Sequence, residues 1–322
     1  MIDSGRAGRT CPLRYSYGAA AIAHATTQST QTLYVIGGLY GNLPALKTVL
    51  TMREQENDAR LCFNGDFNWF NVDDDGFVAI NQTVLRHDAI VGNVEAEFAS
   101  PDDDAGCGCA YPENVDAATV TRSNLIHARL KKTAARHPDL LLLIDALPML
   151  RRYCIGDLRV GVVHGDADSL AGWRFDASAL NDASDEPWRT AAFANADVDI
   201  FASSHTCLPA LRFFADGNKA IINNGAAGMP NFAGSNFGVL TRISTKPSPF
   251  PSLYGCVLRG VHVDALAIGY DKAQWQSDFL NNWPPESAAH VSYFERISNG
   301  TNYTLPVGAG RTPLNQGETH EL

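Results

Sequence analysis

Four residues of this chain, Asp66, Asn93, His164 and His205, stand where an apolar run stops. Leu61–Phe63 ends at Asn64-Gly65-Asp66, and Ala89–Val91 ends at Gly92-Asn93. Val160–Val163 ends at His164, and Ile200–Ala202 ends at Ser203-Ser204-His205. A carboxylate, a carboxamide and two imidazoles together suit a borderline divalent cation such as Mn²⁺, Fe²⁺ or Zn²⁺. Singly, each residue has a plainer use: Asp66 can cap its own turn, and a histidine at a strand end is usually a hydrogen-bonded structural group. Four of them, at the ends of successive strands, predict convergence on one sheet edge, where open α/β sheets bind ligands. Glu95, Asp166 and Asn68 lie close by in sequence and could support such a site or simply stabilise turns.

The elements that must position these residues follow from the apolar pattern. Gln31–Gly37 reads as a strand, Gly38–Asn42 as a glycine turn, and Leu43–Arg53 as a helix that Asn42 caps with Pro44 in its first turn. Strand Arg60–Asn64, the Asp66 loop and helix Phe77–Arg86 form a second unit, and Asp88–Val91 a third strand. Strands alternating with helices in this way imply largely parallel pairing with right-handed crossovers. Residues 99–118 read as a polar loop, Thr119–Lys132 and Pro138–Ala146 as helices, and Met149–Cys154 with Arg159–His164 as a hairpin turning at Gly156. Residues 167–196 read as helical with a break near 182–187. Asp197–Ala202 is a strand, and Leu211–Phe214 with Lys219–Ile222 a hairpin. Gly238–Ile243, Tyr254–Arg259 and Val261–Tyr270 read as an antiparallel meander, followed by helix Asp271–Trp283. Residues 1–30 form an N-terminal extension with one short helix, residues 31–298 a single domain, and residues 299–322 a tail, partly disordered at its end.

The blocks around the four residues resemble those of the calcineurin-like metallophosphoesterases, in particular the small bacterial members, over most of the chain from about Thr32 to Tyr270. VIGGLYGNLPAL (Val35–Leu46) resembles the opening D-x-H-G-N-x-x-A-L block, NGDF (Asn64–Phe67) the G-D block, and GNVE (Gly92–Glu95) the G-N-H-[DE] block. VVHGD (Val162–Asp166) resembles the isolated metal-binding histidine. SSHTCLPA (Ser203–Ala210) resembles the G-H-T-H block, and NNGAAGMP (Asn223–Pro230) the turn after it. The resemblance implies an α/β four-layer sandwich: two mixed β-sheets face to face, flanked by helices. It also implies a phosphoester hydrolase with one or two divalent ions and a small phosphoester substrate. In the family one metal is held by the shared Asp, the Asn, the isolated His and the first His of the last block, here Asp66, Asn93, His164 and His205.

The chain departs from the family at the other metal. Gly38 and Tyr40 replace the first-block Asp and His, Val94 replaces the His after Asn93, and Cys207 replaces the last His. What remains of that site is Asp66 and, as a thiol, Cys207. Tyr40 could hydrogen-bond a phosphoryl oxygen or merely fill the volume. If the 99–118 loop folds over the strand ends, Cys107 and Cys109 could join Cys207 around a softer metal, form a redox-sensitive pair, or remain free thiols. Without a histidine at position 94, general acid help worth about 10²–10⁴-fold in rate is missing. Slow hydrolysis is therefore expected. A non-catalytic binding or regulatory module on the same fold is the competing function.

Composition bounds the rest. The 322-residue chain carries a net charge of −10, which argues against a broad nucleic-acid surface. No apolar run is long enough to span a bilayer, so no membrane partner is expected. Seven cysteines without framework spacing argue for a reducing compartment, and a cytoplasmic protein is the expectation.

Overall fold

A computed structural model of the chain describes residues 7–57, 59–100, 105–215 and 217–310. Its strands are β1 (Thr27–Ser29), β2 (Thr32–Ile36), β3 (Arg60–Asn64), β4 (Asp88–Ile90), β5 (Leu150–Ile155), β6 (Leu158–Val163), β7 (Ile200–Ser203), β8 (Pro209–Phe214), β9 (Lys219–Asn224), β10 (Phe237–Ser244), β11 (Ser252–Leu258) and β12 (Val261–Gly269). They form two six-stranded mixed sheets, ordered β1-β5-β6-β7-β9-β8 and β11-β12-β10-β2-β3-β4. β2, β3 and β4 run parallel in one sheet, and β6, β7 and β9 in the other. The α/β sandwich expected from the sequence is the observed architecture.

Side-chain alternation explains the layers. Leu33, Val35 and Cys62 point to one face and pack with Val160, Val162, Ile200 and Ile222 of the opposite sheet. Their neighbours Tyr34, Ile36, Leu61 and Phe63 point the other way, against Leu46 and Val49 of the helix Leu43–Gln55 and Ile80 and Val84 of the helix Asp74–Val84. Both faces are covered, so β2 and β3 are continuous apolar runs rather than alternating ones. Asn42 caps its helix as expected: its Oδ1 accepts from the Ala45 N–H at 2.9 Å, while its Nδ2 donates to the Gly228 carbonyl.

Several elements differ from the sequence reading. Thr27–Ser29, inside the N-terminal extension, adds an edge strand parallel to β5. β10, β11 and β12 are not a meander. β12 lies between β11 and β10, because the β11–β12 hairpin turns at Arg259-Gly260, both with positive φ, and swings β11 to the edge. Residues 167–178 are loop and not helix; after short 3-10 turns the helix spans Glu186–Ala196. Ala288–Asn299 is a further helix that the sequence reading left out. Of the tail, Leu305–Gly308 forms a helical turn with Val307 buried, and the disorder expected at its end lies outside the described residues. Among the described residues no helix is long and apolar enough to cross a membrane.

Candidate metal centre

β3 delivers Asp66 through two consecutive left-handed residues, Gly65 (φ 76°) and Asp66 (φ 53°). Glycine is required at 65: a Cβ there would sit 2.5 Å from Gly92 Cα and 2.6 Å from His164 Nδ1. The left-handed conformation costs an L-residue about 1–2 kcal/mol, with aspartate among the residues that tolerate it. The strain is held by two backbone bonds across the strand ends, from the Asp66 N–H to Glu95 Oε2 (2.8 Å) and from the Val94 N–H to Asp66 Oδ1 (3.2 Å). Asn93 follows β4, His164 follows β6, and His205 follows β7. All four predicted residues come together, and all are buried.

Their polar atoms face one point. Asp66, His164 and His205 each offer an atom within 4.8 Å of the others. His164 Nε2 lies 3.1 Å from Asn93 Oδ1, 3.3 Å from His205 Nδ1 and 3.4 Å from Asp66 Oδ2. The far side of three of them is fixed by a carbonyl. His164 Nδ1 donates to the Asn64 carbonyl (2.8 Å), His205 Nε2 to the Cys109 carbonyl (3.1 Å), and Asn93 Nδ2 to the Cys107 carbonyl (2.8 Å). With those N–H groups committed outward, the neutral imidazoles turn lone pairs toward each other and toward two acceptor oxygens. Four acceptors at hydrogen-bonding separations require one positive charge among them, either a proton on His164 Nε2 or a cation. A metal-binding histidine characteristically donates its other ring nitrogen to a carbonyl or carboxylate, and both of these do. The donor set therefore fits a divalent ion held by Asp66, Asn93, His164 and His205.

Electrostatics agree. Burial pushes the Asp66 carboxyl up, but the charge and hydrogen bond of His164 outweigh it and hold the group below the usual carboxylate range. Burial pulls His164 down, and the Asp66 charge more than restores it, so His164 sits above an ordinary imidazole. His205 is driven down to about 3 by burial and by the neighbouring His164, and stays neutral. Glu95 is raised to about 7 by burial and by the Asp66 charge. Its carboxyl organises the strand ends, accepting from the backbone N–H groups of Asp66, Gly92 (3.1 Å) and Asn68 (3.2 Å). Asn68 is buried behind it and paired with Asn81.

The other metal position of the resembled family is filled. Gly38 has φ 64°, and a Cβ on it would lie 2.9 Å from Tyr40 Cζ and Oη. The phenol ring thus occupies the space that a side chain at 38 needs. Tyr40 Oη meets Cys207 Sγ at 2.8 Å, and burial raises both groups, so the pair is neutral. Val94 packs with Tyr40, Trp69 and Phe98. Asp166 is turned away from the centre: its Oδ1 accepts from the N–H groups of Asp168 and Ser169, which fixes the turn after β6. Of the aromatics in these loops, Trp69 and Trp173 line the centre, Phe70 backs it against Tyr40, and Phe232 stacks on Tyr303 elsewhere in the core.

The described part of that loop, residues 105–118, does fold over the strand ends, but Cys107 and Cys109 are joined in a disulfide, so they are not free to join Cys207 around an ion. Of the readings open for these two residues the paired one is present, although the cysteine usage as a whole argues for a reducing compartment; the five other cysteines are free. Beside these residues lies a small cavity of about 30 Å³, lined also by Cys109, Tyr111, Trp173 and Tyr293. A water needs roughly 10–15 Å³ of such space. The cavity holds a water or two and not a phosphoester. Sequence reasoning missed this lining, in particular Tyr111 and Tyr293. The latter lies on the helix Ala288–Asn299, which shows only as loose apolar spacing.

The sheet pairing, the parallel strands ending at one edge and the ligands gathered there define a metallophosphoesterase-type sandwich. The chain has the calcineurin-like metallophosphoesterase fold. A metallophosphoesterase from Sphaerobacter thermophilus is similar with a TM-score of 0.55 at 17% identity, over 84% of this chain and 100% of that one. A hypothetical protein from Pyrococcus horikoshii OT3 is similar with a TM-score of 0.57 at 15% identity, over 86% of this chain and 100% of that one. No protein-family model and no curated protein matches the sequence.

Proposed function

We propose that this protein is a metal-dependent phosphoester hydrolase built around a single cation, Mn²⁺, Fe²⁺ or Zn²⁺, held by Asp66, Asn93, His164 and His205. The observation that carries the reading is the set of four inward acceptors, three of them with their outward N–H groups committed to carbonyls and the fourth, Asp66, held by the Val94 N–H. Bound there, a divalent ion supplies polarisation of a phosphoryl oxygen and an acidified water. The chain's own residues do the rest. Glu95 holds the Asp66 and Gly92 backbone in place, and the carbonyls of Asn64 and Cys109 fix both imidazoles. Tyr40 Oη, kept protonated by burial, is a hydroxyl on the cavity wall. Trp173 and Tyr111 line the same cavity, which is too small for a phosphoester, so a substrate enters only when such lining residues move. Val94 offers no proton to a leaving group, so good leaving groups are favoured.

The direct test is turnover of aryl phosphodiesters and monoesters by the purified chain loaded with each metal. Slow hydrolysis that disappears in Asp66→Ala supports the reading. The small volume of the cavity favours a second reading, a non-catalytic protein that retains its ion. One cation bound per chain with no turnover for any metal selects that second reading, and no bound cation rejects both.

A further inference from the structure

The disulfide sits on the metal centre itself, and its placement has a use. The two carbonyls of the bridged residues each hold one ligand: Cys107 O accepts from Asn93 Nδ2 at 2.8 Å, and Cys109 O accepts from His205 Nε2 at 3.1 Å. Cys109 O also accepts the Trp173 indole N–H at 3.0 Å, and Trp173 packs edge-on against the His205 ring, 5.2 Å between centroids. Cys109 Sγ is 3.4 Å from Asn93 Nδ2. The orientation of two ligands and the seating of Trp173 therefore depend on one three-residue segment.

That segment is locked by its bridge. Gly108 lies between the cysteines with φ 66°, against the Tyr15 hydroxyl. The closed loop spans only residues 107–109, so the bridge removes little chain entropy from the unfolded state and does little as a staple for the fold. What it fixes is the direction of the two carbonyls.

We infer that the Cys107–Cys109 bridge sets the cation affinity of this centre: closed, it positions Asn93 and His205 for the ion; opened by a dithiol, it releases them. This rests on the single-cation reading of the site. Once the residues lining the cavity move aside, a thiolate of a small dithiol attacks Cys109 Sγ, which borders the cavity, and Cys107 leaves as a thiolate and takes a proton. The second thiol of the reductant then displaces Cys109, which takes the second proton, and the reductant departs as a disulfide. Two electrons and two protons pass to the protein. Cys107 and Cys109 act as positioning residues, not as ligands.

Loss of such an outer hydrogen-bond partner typically costs about 10–100-fold in metal affinity. The test is titration of the metal-free full-length chain with Co²⁺ alone, in the oxidised state and after reduction and removal of the reductant. Thiol counting verifies each state, and the cobalt ligand-field spectrum reports the coordination. The expected result is one Co²⁺ per oxidised chain, bound about 10–100-fold more weakly, with an altered spectrum, in the reduced chain. Cys109→Ser should bind as weakly as the reduced chain and show no response to reductant, while Cys207→Ser should retain the full redox difference. Equal affinity in both states overturns the inference and leaves the single-cation reading intact. Tighter binding after reduction overturns it by making the thiols ligands. No binding in either state removes both the inference and the reading beneath it.

Discussion

Introducing aspartate at position 38 asks whether Tyr40 really occupies the missing side chain's space. Gly38 has φ 64°, and its virtual Cβ is 2.9 Å from Tyr40 Cζ and Oη and 3.0 Å from Cε2. In Gly38→Asp, the left-handed backbone alone costs about 1 kcal/mol, aspartate being at the tolerant end. The Tyr40 ring must also swing aside. That sacrifices its 2.8 Å contact with Cys207, worth about 1 kcal/mol, and forces an off-rotamer χ worth roughly another 1 kcal/mol. The single variant should lose about 3 kcal/mol. The clashing atoms are the far end of the phenol, which an imidazole lacks, so in a Tyr40→His background the same aspartate should cost only about 1 kcal/mol. The coupling between positions 38 and 40 is then about 2 kcal/mol, well above the ~0.5 kcal/mol expected of independent sites. Urea unfolding of the four chains of the cycle measures it, provided the m-values agree. Adding Cys207→His to the double variant rebuilds the donors of the resembled family, and elemental analysis should rise from one cation per chain to two. An aspartate cost that is the same in both backgrounds refutes the shared-space reasoning.

Cation and proton compete for His164. Because Asp66 holds that imidazole above its ordinary value, apparent cation affinity should climb about tenfold per pH unit through the mildly acidic range and level off only above the raised His164 value; calorimetric titrations at stepped pH check this. For stability the sign runs the other way. A raised imidazole stabilises the metal-free chain fully below its unfolded value of ~6.5, and that stability is lost as pH rises through the folded value. The difference in unfolding free energy between loaded and metal-free chain should therefore grow toward alkaline pH, and a flat difference contradicts the proton's role. Glu95→Gln should cost about 2–3 kcal/mol, because both carboxylate oxygens accept, Oε2 from the Asp66 and Gly92 N–H groups and Oε1 from the Asn68 N–H and Nδ2, and the amide turns one of those positions into a donor facing donors. It should also weaken cation binding about 10–100-fold; denaturation and Co²⁺ titration of the same variant give both numbers.

How much of this could be read from residues alone depends on the range of each interaction. β3 was legible to the residue, Arg60–Asn64, because a run buried on both faces has one strong apolar signature and a Gly-Asp stop. The four residues of the candidate centre were legible because each lies at such a stop, and parallel pairing brings those stops to one edge. The order of β10, β11 and β12 was not, since a meander and an edge hairpin use the same three alternating strands; only the Arg259-Gly260 turn and the prolines at 247, 249 and 251 separate them. The helical reading of 167–178 failed because the segment's apolar residues serve a loop that Asp166 organises through backbone bonds. A pair between Cys107 and Cys109 was one of three readings, and a lone C-x-C carries no signal to choose among them; Tyr111 and Tyr293 were out of reach because they meet the strand ends only through tertiary packing.

The departures at the resembled family's other metal position, beside a complete candidate centre, have a physical logic. A buried carboxylate at position 38 with no ion would be an unpaired charge, costing several kcal/mol, so once any of its partners is gone the aspartate itself is a liability. Gly38, Tyr40, Val94 and Cys207 remove that liability together: a missing side chain, the ring that fills its space, an apolar neighbour and a neutral thiol bonded to the phenol. None of the four works well without the others, which is why they stand together. The retained centre carries no such penalty. Without an ion, His164 takes a proton and neutralises Asp66, while His205 remains uncharged. A site with its own proton-accepting ligands can stand empty or loaded inside the same packed core; a site whose charge only a second metal could balance had to be filled with carbon and sulfur.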